Sequence, residues 1–115
     1  MSNLRDQILE ANDSVREAVE VPEWGLTVWV TNISAADRVK WESSIPSTNG
    51  KANLVGLKER FLVSCLVDEE GNRIFNDSDA DALGAKSSIA VDRLWQVADR
   101  LNAVSDKQIE SAEEN

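Results

Sequence analysis

The chain has 115 residues, 42% of them apolar, and carries a formal net charge of −9 from 21 acidic against 12 basic side chains, with no histidine. That length and composition suit one globular domain with a modest core. The surplus negative charge repels nucleic-acid phosphates and anionic membranes, so neither is an expected partner, and no apolar run approaches the ~18 residues needed to span a bilayer.

Leu4 to Ala11 reads as a short amphipathic helix, with Leu4, Ile8 and Ala11 on one face and Asp6 and Glu10 on the other. Met1 to Asp6 lacks the charged-then-apolar pattern of an export signal, so secretion by the usual route is not expected. A polar break at Asn12-Asp13-Ser14 leads to Val15–Val21, the first strand of a β-hairpin. Val19 and Val21 alternate with Glu20 before a Pro22-Glu23-Trp24-Gly25 turn. Leu26, Val28 and Val30 then alternate with Thr27, Trp29 and Thr31. Pro22 fixes φ and Gly25 tolerates a positive φ, so the reversal has a mechanism.

Ser34-Ala35-Ala36-Asp37 opens the next helix, with Ser34 as its cap, and the pattern runs to about Ser44. Ile45 to Gly50 is the most loop-like stretch and the expected place for mobility. From about Asn53 a core helix is expected, with Leu54, Leu57, Phe61 and Cys65 on one stripe and Val55, Leu62 and Leu66 beside it. Asp68 to Asn72 is a turn, and Arg73-Ile74-Phe75 a short strand or extended segment. Asp77 to Leu83 forms a short helix, with Gly84 just past its end. Ser87 or Ser88 starts a longer helix to Asn102, with Ile89, Leu94, Val97 and Leu101 repeating and Val91, Trp95 and Ala98 widening the face. Ser105 to Gln108 begins a last short helix, and residues 111–115 form an acidic tail. The expectation is an α+β fold, mostly α: one N-terminal β-hairpin packed with about five helices, in a single domain over residues 1–115 with frayed ends.

The chemical candidates are thin. Asp77-Ser78-Asp79-Ala80-Asp81 starts like a calcium loop, but the sixth position is Ala82 where Gly is needed and the twelfth is Ser88 where a bidentate Glu is needed. Acids filling the first turn of a helix explain the run better. Asp68, Glu69 and Glu70 read as a solvated turn rather than catalytic carboxylates. Cys65 has no histidine to activate it and sits in an apolar run, which points to a buried thiol in a cytosolic protein. Phosphate-binding glycine loops are absent, and one cysteine without histidine is a poor basis for a transition-metal site. No catalytic residue, metal site or cofactor is therefore expected. Trp41 and Trp95 read as core. Trp29 is out of phase with Leu26, Val28 and Val30, so it points to the other face of the hairpin; exposed there, it is apolar area that calls for a partner. Trp24, Trp29 and the adjacent Val28 and Val30 are the candidate interface residues.

The order Val21-Pro22-Glu23-Trp24-Gly25, Thr27-Val28-Trp29-Val30, Ser34-Ala35-Ala36-Asp37-Arg38, then Leu66 to Phe75, Leu83-Gly84-Ala85-Lys86-Ser87 and Arg100 to Ser105 resembles the tail assembly chaperones of long-tailed bacteriophages and related prophages. The likeness spans nearly the whole chain. It implies a non-enzymatic assembly factor in the host bacterial cytoplasm that binds the tape-measure protein, recruits tail-tube subunits and is absent from the mature virion. It further implies a possible longer form made by translational frameshifting, and leaves room for a homo-oligomer. The rival readings are a structural tail or head-tail connector subunit that stays in the virion, and an acidic mimic of DNA.

Overall fold

The computed structural model describes residues 3–104. The short helix expected from Ser105 and the acidic end at 111–115 lie outside the described residues. Within them the fold is α+β, with an N-terminal antiparallel hairpin and five α-helices.

Strands β1 (Arg16–Val21) and β2 (Leu26–Thr31) pair with Ala18 opposite Trp29, Val19 opposite Val28 and Val21 opposite Leu26. The turn closes through Trp24 N–H donating to the Val21 carbonyl at 3.0 Å, with Gly25 at φ 64° supplying the left-handed residue. Because alternate side chains face opposite sides, Val19, Val21, Val28 and Val30 form one buried row, while Arg16, Ala18, Glu20, Thr27 and Trp29 face outward. Ahead of the hairpin, α1 (Leu4–Glu10) is capped by Asn3, whose Oδ1 accepts from Asp6 N–H at 2.8 Å. It buries none of its residues, and Ile8 is 64% exposed. The apolar face read in the sequence is there, but Leu4 and Ile8 stay exposed on it.

Helix α2 (Ala35–Ser43) starts as expected, with Ser34 Oγ accepting from Asp37 N–H at 3.1 Å. The loop-like segment after it folds into a small ribbon, β3 (Ser47–Thr48) against β4 (Lys51–Ala52), reversed through Asn49 and Gly50, both at positive φ. Two consecutive left-handed residues are the requirement of a tight hairpin turn.

Two corrections concern the core helix. It begins at Leu57, not near Asn53: α3 (Leu57–Cys65) follows a left-handed Gly56, and Asn53 Oδ1 accepts from Val55 N–H at 3.0 Å, holding the preceding residues in an Asx turn. Leu54 and Val55 are thereby turned out to solvent, Val55 at 78% exposure. At the other end the helix passes without a linker into β5 (Leu66–Val67), so Leu66 belongs to a strand. This strand completes a three-stranded sheet of order β1-β2-β5, placing Leu66 opposite Val30 and Val67 opposite Trp29. Arg73, in the segment expected to be extended, makes an antiparallel bridge to Val67.

A 3-10 turn at Asp77–Asp79 leads into α4 (Ala80–Gly84), and α5 (Ser88–Asn102) follows, capped by Ser87. Gly84 is the last residue of α4, and the cap at Ala85 stays right-handed. On α5 the buried residues are Ala90, Val91, Leu94 and Ala98, whereas Ile89 is 65% exposed.

The core lies between the inner face of the sheet and α3 and α5. Phe61 is fully buried at its centre, edge-on to Trp41 (centroids 4.9 Å apart, 84°) and to Trp95 (5.7 Å, 87°). Each such pair contributes about 0.5–1.5 kcal/mol beyond burial. Trp41 also donates Nε1–H to the Leu57 carbonyl at 3.2 Å, so it is buried without an orphaned donor. Replacing Phe61 by Ala is expected to cost about 3–5 kcal/mol. Ile8→Ser should change stability by less than about 0.5 kcal/mol. Urea denaturation of the two variants checks the contrast.

Candidate functional site

The two faces of the hairpin have different fates, and α5 decides between them. This helix packs against β1 and β2 on the inner face, and an ion pair ties it to each strand region. Arg93 forks onto both carboxylate oxygens of Glu23 in the hairpin turn, with the Nη2 to Oε2 distance at 3.0 Å, and Arg100 pairs with Glu17 on β1. Partners 70 and 83 residues apart had no local signature in the sequence.

Val28 and Val30 are consequently core residues, at 7% and 0% exposure. This corrects their place among the surface candidates: their alternation phase is that of Val19 and Val21, which the helices cover. Trp24 is half-buried at the turn and packs against the core from its edge. Trp95 is half-buried beside Phe61, with the Lys58 ammonium 6.0 Å from its ring centroid.

Trp29 stands on the opposite face, half-buried and outside the core cluster. Its cross-strand neighbours are Ala18, which is exposed, and Val67, which is buried. Adjacent strands place such side chains within about 5 Å of one another, so the three form one apolar row across the sheet. Arg16 reaches over it, its guanidinium carbon 6.0 Å from the Trp29 ring centroid. The same guanidinium donates to the Glu69 carbonyl at 2.8 Å. A Cβ on Gly71, which sits at φ 94°, would lie 2.9 Å from Arg16 Nη1, so the approach depends on glycine both sterically and conformationally.

The turn that receives Arg16 is rigid for a definite reason. Asp68 Oδ1 accepts from the N–H groups of Glu70 and Asn72, both at 2.9 Å, and these bonds hold the Asp68 carboxyl below its usual range. The acids of this turn thus support backbone geometry. Asp77 is likewise lowered by its bond from Arg73 at 2.9 Å, and Glu23 by Arg93. Asp79 caps its own turn by accepting from Asn76 N–H at 2.9 Å. Among the described residues no group of acids and thiols is arranged to hold a metal ion, and no helix is long and apolar enough to cross a membrane. Cys65 is buried, and desolvation pushes its thiol up to about 12, which keeps it protonated.

The accessible apolar part of this face is therefore Ala18 and the uncovered side of Trp29, beside the Arg16 guanidinium. A sequence profile of the phage tail assembly chaperone family matches residues 3–115. Among solved structures, the fold is similar to that of the bacteriophage HK97 tail assembly chaperone, with a TM-score of 0.62 at 19% identity, covering 88% of this chain and 95% of that one. No curated protein matches the sequence.

The three lowered carboxyls predict the acid response. Each contributes stability that is fully present above its ordinary value, 3.8 for Asp68 and Asp77 and 4.5 for Glu23, and is lost as pH falls through the lower folded value. The denaturation midpoint should therefore drop on acidification below about pH 4. Glu23→Gln should flatten part of that drop while lowering stability at neutral pH, which a pH series of melts would measure.

Proposed function

The chain belongs to the phage tail assembly chaperone family, and on that premise we propose that it binds the tape-measure protein and helps bring tail-tube subunits to it, without chemical catalysis. The observation that carries the reading is the outward position of Trp29 between Ala18 and Val67, on the face opposite the core. A long helical client has apolar stripes to cover, and the uncovered side of Trp29 with Ala18, framed by Arg16 and seated on buried Val67, offers a contact and an orientation for one. The net charge of −9 keeps a chaperone–client complex soluble by repulsion between complexes. Trp29 is the central contact in this reading, with the half-buried Trp24 at the hairpin turn as a second, separate contact. Val28 and Val30 act from beneath, by fixing the strand that presents Trp29.

The protein works, in this proposal, in the host bacterial cytoplasm and leaves before the virion is complete. A longer frameshifted product would carry the same domain, and copies of the chain would line up along the client. Co-expression with the tape-measure protein encoded beside it is expected to keep that protein soluble. Trp29→Ser should abolish the rescue while shifting the thermal midpoint by no more than about 3 °C, because the side chain lies off the core. Equal precipitation of the client with and without the chaperone would sink the reading, and so would recovery of the chain in many copies from purified particles.

A further inference from the structure

A second surface feature lies away from the hairpin, where α2 and α3 meet. A cleft of about 180 Å³ opens there, lined by Asp37, Lys40 and Trp41 from α2, Arg60 from α3, and Arg73 and Asp77 beyond it. In a chain so acidic, three cations converge on this cleft and outnumber its two carboxylates. Asp77 is already engaged by both Arg73, at 2.9 Å, and Lys40, at 3.5 Å. Arg73 also donates Nε–H and Nη2–H to the Val63 carbonyl, at 3.1 and 2.8 Å.

Arg60 is different. Its Nη1 donates to the Val55 carbonyl at 2.8 Å, but Nε and Nη2 are buried without any acceptor. Those two atoms form the edge of the guanidinium that grips a carboxylate with two parallel hydrogen bonds. Buried donors left unpaired cost stability, and an acceptor supplied to them recovers it. These two donors are already out of water although Arg60 as a whole is half-buried, so an incoming anion meets part of the desolvation cost already met. The side chain lines both this cleft and a neighbouring groove that includes Glu59, Asp81 and Gly84, and in the proposal below the guanidinium turns its unpaired edge toward the cleft when an anion enters.

We propose that the α2–α3 cleft receives a single Glu or Asp side chain from a partner polypeptide, gripped by Arg60. Charge selects the ligand: one positive charge in excess matches one carboxylate, whereas Asp37 and Asp77 repel a phosphate dianion. Volume permits it, since a cleft of about 180 Å³ has room for a carboxylate side chain. The Trp41 and Val63 walls accept the methylenes of the acid, and Lys40 at the mouth is exposed enough to steer it in.

The test is a two-dimensional NMR titration of the 15N-labelled protein with N-acetylglutamate N-methylamide, read at the Trp41 indole N–H and the Arg60 Nε–H. Saturable shifts at both signals are expected with the glutamate compound, and none with its glutamine counterpart. Arg60→Met should weaken binding at least about tenfold, the equivalent of a lost charge-assisted pair. Lys40→Met, at an exposed position that leaves the fold intact, should weaken it about threefold. Shifts of equal size with the glutamine compound, tighter binding of inorganic phosphate, or no saturable change would each overturn the proposal. Tighter binding of N-acetylglycine would overturn it as well, by assigning the cleft to a chain terminus. If Arg60→Met does not fold, an unchanged affinity in Lys40→Met has the same force.

Discussion

The edge-to-face stack of Trp41, Phe61 and Trp95 is the contact on which the rest of the molecule depends. It joins α2, α3 and α5 at one buried ring, and none of the three has another centre of comparable size. Once Phe61 is fixed, α3 has a fixed direction, and its last residue runs straight into β5. The sheet and the helices are therefore positioned by the same nine-residue segment. Packing at this density leaves no slack for a shifted register, because a one-residue slip would send Leu66 outward and Val67 inward.

From that anchor the two faces of the hairpin acquire their separate roles. The inner face is sealed by α5 and held by Glu23–Arg93 and Glu17–Arg100, about two turns apart on the helix. Partly solvated pairs like these contribute modestly to stability, but they set the angle at which the helix lies on the strands. The outer face is finished differently: a cation over an indole, anchored to the backbone of a turn whose own acid is used internally. Packing against helices and packing against solvent-facing charge thus occur on opposite sides of one six-residue strand.

The hairpin was legible because its alternation extends over both strands and is interrupted only by Pro22 and Gly25. The capping Ser34 and the long α5 were legible for equally local reasons. What escaped was everything settled by distant partners. Leu66 continues the helical stripe of Phe61, Leu62 and Cys65 in spacing, and only the vacant edge of β2 converts it to a strand. Gly56 and Asn53 stop the helix early through backbone conformation, which hydrophobic periodicity does not register. Ile89 is five residues from Leu94, about 140° around the helix, so it faces away although its neighbours Ala90 and Val91 are buried. At the candidate site, the phase of Trp29 was readable and its support was not: Arg16 and Gly71 are 55 positions apart and meet only after the sheet closes. The same phase argument, applied consistently, places Val28 and Val30 inside.

The order in which the sheet is assembled has a consequence for when its outer face exists. β1 and β2 are neighbours in sequence and can pair within microseconds as a local hairpin. β5 must close a loop of more than thirty residues and arrive attached to α3. Until it docks, Trp29 has Ala18 on one side and an unpaired strand edge on the other. The row from Ala18 to Val67 is therefore a property of the completed fold, and its presence reports that the aromatic stack has formed. A chain still folding has not built this row, so the outer face of the hairpin and the helical core are completed in a single step.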